Sequence, residues 1–234
     1  MREIVFDTET TGLDNQADRI IEIGCIELEN QFPTGRSLHL FINPDGRKVH
    51  PDALAVHGIS DEFLADKPVF SAVAEEIVAF FEGAHYVAHN ASFDMGFLNT
   101  EYQRVGISSV DPGRVIDTLS LARRRHPMGP NSLDALCRRY GIDNSHRTRH
   151  GALLDAELLT DVYIEMLGGR QAALGLSSKD TDSVEQTADE EVVVIGERPR
   201  PLPDRLTEAD LKANSELIDR IGADALWLKA SGDN

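Results

Sequence analysis

Asp7 and Glu9 stand two residues apart in Phe6-Asp7-Thr8-Glu9-Thr10-Thr11-Gly12, directly after the apolar run Ile4-Val5-Phe6. On an extended chain, residues at that spacing point to the same side. Two carboxylates placed together repel each other and lose hydration, and a bound cation relieves both costs. Hard oxygen ligands select Mg²⁺ or Mn²⁺. The competing explanation is that the acids merely mark an exposed strand end. A second segment, His89-Asn90-Ala91-Ser92-Phe93-Asp94, follows the apolar run Tyr86-Val87-Ala88. Asp94 taken alone also fits the first turn of a helix, where an acid is favoured. The third segment is His150-Gly151-Ala152-Leu153-Leu154-Asp155. At ~100° per residue a helix separates positions five apart by about 140°, so His150 and Asp155 cannot share one helical face. His150 is therefore expected on a mobile, glycine-containing loop and Asp155 in the first turn behind it. That arrangement suits a base swinging in beside a fixed metal ligand, against the plainer alternative of a surface histidine.

The elements that must position these residues follow from apolar spacing. Ile4–Phe6, Ile20–Leu28 and Leu38–Ile42 read as strands, the last ended by the turn at Asn43-Pro44, and together they suggest an antiparallel meander. Helical spacing of Val73, Ile77, Phe80 and Phe81 predicts a helix over Phe70–Phe81. A strand at Tyr86–Ala88, a helix over Phe93–Val105 and a strand at Val115-Ile116 come next. Helices are then expected at Leu119–Arg125, Ser132–Tyr140 (capped by Asn131 or Ser132) and Ala152–Leu167. A meander followed by alternating strands and helices makes an α/β fold, a mixed sheet with helices on its faces.

The 234 residues suffice for one sizeable domain and something smaller, and 41% apolar content builds a core without staples. Cys25 and Cys137 match no metal or redox spacing, so both are expected reduced and buried, as in a cytosolic enzyme. The acidic motif begins too near Met1 for a signal peptide, and no apolar run approaches membrane-spanning length. A net charge of −17 lacks the broad basic footprint of tight, sequence-independent nucleic-acid binding. An enzyme that releases its product after each cut does not need that grip. Basic clusters at Arg123–His126, Arg138-Arg139 and Arg147–Arg149 are as readily solvated surface as contacts.

Taken together, the three acidic segments resemble the three exonuclease motifs of the DEDD superfamily, in its histidine-containing branch, from about Arg2 to Leu167. Ile20-Ile21-Glu22-Ile23-Gly24, Val56-His57-Gly58-Ile59 and Asn131-Ser132-Leu133-Asp134-Ala135-Leu136-Cys137 are similar to segments of the epsilon subunits, the proofreading 3′→5′ exonucleases of bacterial DNA polymerase III. The resemblance implies an RNase H-like fold with a five-stranded sheet and a cytoplasmic, replisome-associated enzyme. It implies that Asp7, Glu9, Asp94 and Asp155 hold two Mg²⁺ or Mn²⁺ ions and that His150 is the general base. The ion pair in such sites is ~3.5–4 Å apart. Substrate contacts would come from Asp7, Thr8, Glu9, Leu13, Asp52, His57 and Asp155, with Leu13 wedging beside the terminal base. Position 52 holds Asp where that family carries Glu, and His57 fits a packed histidine at a turn equally well. Rival functions are an RNA-trimming relative with the same five active residues and a non-catalytic scaffold.

Three regions are expected: an exonuclease domain over 1–169, a linker over 170–191 and a polymerase-binding segment over 192–234. Ser177–Glu191 is rich in Ser, Thr, Asp and Glu, which predicts flexibility. Before it, Gln171-Ala172-Ala173-Leu174-Gly175-Leu176 resembles a sliding-clamp motif, with Gln171, Leu174 and Leu176 as anchors. Beyond it come Val192–Ile195, prolines at 199, 201 and 203, a capping box at Thr207–Asp210 opening a helix, and Ala225–Leu228 with Trp227. By place in the chain this segment would bind the polymerase alpha subunit. A small third subunit on the nuclease domain is left open.

Overall fold

The first strand outruns its apolar run. In the computed structural model, which describes residues 1–145, 147, 149–169 and 207–221, β1 extends over Arg2–Thr10. Ile4 and Phe6 pack into one apolar cluster and Val5 into another, the alternation of a strand buried on both faces. β2 (Ile20–Glu29) and β3 (Phe32–Phe41) continue as the expected antiparallel meander, while β4 (His85–Ala88) and β5 (Val115–Asp117) run parallel to β1. The order β3-β2-β1-β4-β5 is the expected five-stranded mixed sheet.

β3 starts six residues before the apolar signal, at Phe32 rather than Leu38. Its first half is exposed, so it carries no alternation to read, and as an edge strand it accommodates Pro33 and Gly35. Asn30 and Gln31, both at positive φ, make the tight hairpin into it. Ile42 lies just past the strand, yet its N–H still bonds the Ile21 carbonyl at 2.8 Å.

Two short helices were not anticipated, α1 (Pro51–His57) and α2 (Asp61–Leu64). Each spans too few residues for helical periodicity to register. α3 (Phe70–Phe81) and α4 (Ala91–Arg104) pack on one face of the sheet. On the other lie α5 (Thr118–Arg125), α6 (Leu133–Tyr140) and α7 (Ala152–Met166). Ser132 caps α6, accepting from the Ala135 N–H. Cys25 and Cys137 are buried free thiols, one in each apolar cluster. In a separate unit, α8 (Glu208–Ile221) opens on the expected cap: the Asp210 N–H donates to Thr207 Oγ1, and the Thr207 N–H to Asp210 Oδ2. The clamp-like motif, the Ser177–Glu191 stretch, Val192–Ile195, the three prolines and Trp227 lie outside the described residues. Among those residues no helix is long and apolar enough to cross a membrane.

Two features of the sheet prepare the site. β4 pairs with β1 only at Glu3, Ile4 and Val5, whereas β2 follows β1 nearly to its end. Asp7 and Glu9 thus lie within a paired strand, not at its end as the apolar run suggested, but on a stretch without a strand on its β4 side. Gly24 stands opposite Asp7 in the β1–β2 register. A Cβ there would fall 2.2 Å from the Leu153 nitrogen, so the missing side chain lets the first turn of α7 rest directly on β2. At the other end of α7, the Tyr163 hydroxyl donates to the buried Glu3 carboxylate at 2.7 Å.

Gly24→Ala is expected to push α7 off the sheet and cost about 1–3 kcal/mol of stability. Urea unfolding should show a lower midpoint at unchanged slope; an unaltered midpoint would mean that α7 shifts at no cost.

Candidate active site

Asp7 and Glu9, both half-buried, project from the β1 face that α7 covers, as their two-residue spacing requires. Asp155 meets them from the first turn of α7 and is only 4% exposed. Asp94 arrives from the opposite layer, in the first turn of α4, and is 3% exposed. It reaches β1 where β4 pairing has ended: the Thr8 N–H donates to its Oδ1 at 3.1 Å and the Thr8 hydroxyl at 2.7 Å. Asp94 thereby takes over a strand-edge N–H that β4 does not use. All four acids and His150 line one cleft of about 300 Å³, with His89, Asn90, Phe93, Ser132, Leu133 and Arg147 around them.

Asp117, at the end of β5, sets the angle of α4. Its Oδ1 accepts from the N–H groups of Asn90 and Ala91 at the start of α4 and of Leu119 at the start of α5. Burial alone would raise this carboxyl, but the hydrogen bonds from Ser120, Ala91, Leu119 and Asn90 hold it below the ordinary range. Asn90 sits at φ 65°, a left-handed conformation that asparagine tolerates, and so turns the chain sharply from β4 into α4.

His150 precedes α7 on the loop, as the 140° argument requires, and its N–H bonds the Val56 carbonyl of α1 at 3.3 Å. Its Nδ1 lies 3.1 Å from Asp155 Oδ2. One donor atom each from Glu9, His150 and Asp155 falls within 4.8 Å of the others, a group able to hold a metal ion. Burial, then the charges of its neighbours, pushes Asp7 well above the usual carboxylate range. Burial, then Glu22, Asp155 and Asp94, pushes Glu9 up to about 8. Asp94 rises to about 7 through burial, despite its bonds to Thr8. Arg147 offsets part of the mutual repulsion among these hard oxygen donors, and the rest is the condition a divalent cation would satisfy, so the residues fit one.

The other anticipated contacts divide. Leu13, 86% exposed, and Asp52 line a second cleft, shared by the loop after β1 and by α1, with Arg47, His50 and Val56. That loop is braced: Asp18 accepts from Thr11 Oγ1, the Asp14 N–H and Arg47, and Arg19 grips the buried Glu101 through two bonds of 2.6 and 3.0 Å. His57 is buried and lines neither cleft, and its Nδ1 accepts from the Ile59 N–H. The Thr8 hydroxyl and N–H are both spent on Asp94. Residue patterns overlooked three members of the neighbourhood. Asp117 looks like any strand-end acid, Gly24 like a break in a strand, and Arg147 like one more cation in a basic cluster.

Comparison with known proteins places the chain among exonucleases. An exonuclease family model matches residues 4–163. The DNA polymerase III subunit epsilon of Rickettsia conorii is 41% identical over 94% of this chain and 96% of its own. That of Pasteurella multocida is 49% identical over 72% of this chain and 69% of its own, and that of Salmonella typhimurium 42% identical over 97% of each. Among solved structures, exonuclease X in complex with 5′-overhanging duplex DNA is 31% identical, with a TM-score of 0.53 over 71% of this chain and 90% of that one. E. coli exonuclease I with single-stranded DNA, in a zinc-bound form, shares the fold at 20% identity, with a TM-score of 0.62 over 71% of this chain and 40% of that one.

The raised Glu9 carboxyl has a consequence for stability. Folded, it holds a proton up to about pH 8 that the unfolded chain releases near 4.5, so its contribution is present at low pH and lost as pH rises through that window. Thermal melts in EDTA should show this fall between about pH 4.5 and 8, and Mg²⁺ should flatten it. A metal-free profile that rises across the window would contradict the burial of Glu9.

Proposed function

The chain belongs to the exonuclease family, and on that premise we propose that it is the proofreading 3′→5′ exonuclease of a bacterial DNA polymerase III, releasing nucleoside 5′-monophosphates from DNA ends. One observation carries the chemistry: Asp7, Glu9, Asp94, Asp155 and His150 converge from β1, α4, α7 and a loop onto a single cleft. DNA as substrate is supported by exonuclease X, 31% identical and bound to duplex DNA.

Asp7, Glu9, Asp94 and Asp155 would hold two Mg²⁺ or Mn²⁺ ions. Such ions lower the pKa of a bound water and stabilise charge on the attacked phosphate and the departing oxygen. His150 accepts a proton from the attacking water at an imidazole nitrogen, and its place on a loop lets that nitrogen follow the substrate. The new phosphorus–oxygen bond forms on the 5′ side of the last nucleotide, and the bond to the penultimate 3′ oxygen breaks. Leu13 and Asp52 in the second cleft, with Thr8 lining the first, would orient the terminal sugar and base. The cleft need not read bases to favour errors: a mispaired end frays more readily, and a frayed strand reaches the acids.

The three regions over 1–169, 170–191 and 192–234 then have distinct tasks. Gln171, Leu174 and Leu176 would dock on the sliding clamp, and residues 192–234 on the polymerase alpha subunit, in the bacterial cytoplasm. Their support is place in the chain and relatives matched over nearly their whole length.

Full-length protein with Mg²⁺ should release 5′-monophosphates from a 3′-mismatched DNA primer, faster than from single-stranded RNA and not at all in EDTA. Asp155→Asn and His150→Ala should each cut the rate at least about 100-fold, the scale on which a general base acts. Faster release from RNA would favour a trimming ribonuclease, and no release from either substrate a scaffold.

A further inference from the structure

Arg147 is the one cation built into the acidic cleft among its described lining. Its side chain is 9% exposed, and each of its terminal nitrogens has a committed partner. Nε lies 2.6 Å from Asp155 Oδ1 and Nη2 2.6 Å from Asp155 Oδ2, a two-pronged grip on both oxygens of the carboxylate. Nη1 lies 2.8 Å from Oδ1 of Asp134, in the first turn of α6. Nη2 also lies 2.6 Å from Nδ1 of His150. That Nδ1 is also 3.1 Å from Asp155 Oδ2, so guanidinium, carboxylate and imidazole meet at one point.

The guanidinium therefore stands where a cation would. Glu9, His150 and Asp155 offer donor atoms that converge within 4.8 Å, and Nη2 already touches two of the three. We propose that Arg147 is an internal counter-cation: it occupies Asp155 and His150 in the metal-free protein, and a divalent ion entering at Asp155 displaces it. Asp134 keeps it tethered beside the cleft when it leaves. The same displacement removes the guanidinium from Nδ1 of His150. Arg147 is in this sense a positioning residue, acting through Asp155 and His150. The inference rests on Asp155 being a metal ligand.

The test is calorimetric titration of the metal-free full chain with Mn²⁺, paired with thermal melts in EDTA and in saturating Mn²⁺. Arg147→Gln should bind Mn²⁺ at least about threefold more tightly, because a ligand gains what its competitor gives up. Its melting temperature should fall below wild type in EDTA and return towards it with Mn²⁺. Arg147→Lys, which keeps the charge but loses the fork, should shift affinity the same way by less. Arg149→Gln removes an equal charge from the same loop and should stay within about twofold of wild type. Equal or weaker Mn²⁺ binding by Arg147→Gln, or a melting loss unchanged by Mn²⁺, would overturn the proposal and leave Arg147 a loop brace. Wild-type protein that binds no Mn²⁺ would overturn the metal site as well.

Discussion

Bringing Asp7, Glu9, Asp94 and Asp155 into one cleft sets like charges against one another where little water remains to screen them, and much of the fold bears that strain. The four acids are carried on three supports. Asp7 and Glu9 ride on a strand paired with β2 along nearly its whole length. Asp155 is fixed by a helix seated on Gly24 at one end and tied to Glu3 at the other. Asp94 hangs on the Thr8 hydroxyl and N–H, at a strand edge that β4 leaves bare. All three supports meet on the β1–β2 pair, so releasing the repulsion by moving one element would break its packing on the sheet. The repulsion appears instead as carboxyls raised by burial and by each other, and as a guanidinium drawn between Asp155 and Asp134.

Around that centre the polar interior is spent on holding loops. Asp117 ties the starts of α4 and α5 to the end of β5, and Asp18 and Glu101 gather arginines to brace the loop after β1. The His150 N–H rests on the Val56 carbonyl of α1, which joins the loop of the acidic cleft to the helix that walls the second one. A shift of α1 would therefore reach His150 through a backbone contact.

The overall charge of −17 acquires a local meaning in this light. A DNA end need not be attracted by the surface as a whole. It must be accepted by a cleft whose own acids repel phosphate until cations compensate them, which makes entry of substrate and of metal one electrostatic problem.

Much was legible from residue order alone. The five strands, the five longer helices of the first unit and the 91–94 and 150–155 turns follow from local alternation, helical spacing and capping, which operate over a few residues. The carboxylates at 7, 9, 94 and 155 could be singled out together because their segments resemble the exonuclease motifs, each alone fitting a strand-end or helix-start acid as well. Other features depended on contacts between distant segments. β3 begins at Phe32 because an exposed edge needs no apolar pattern, and α1 and α2 are too short to show one. Gly24 matters because of Leu153, Asp117 because of Asn90 and Ala91, and Arg147 because Asp134, Asp155 and His150 surround it. Local order thus determined which residues could do chemistry and on which elements they sit. Tertiary packing decided which cation and which backbone atoms meet them, because those partners are brought together only when the two helical layers close on the sheet.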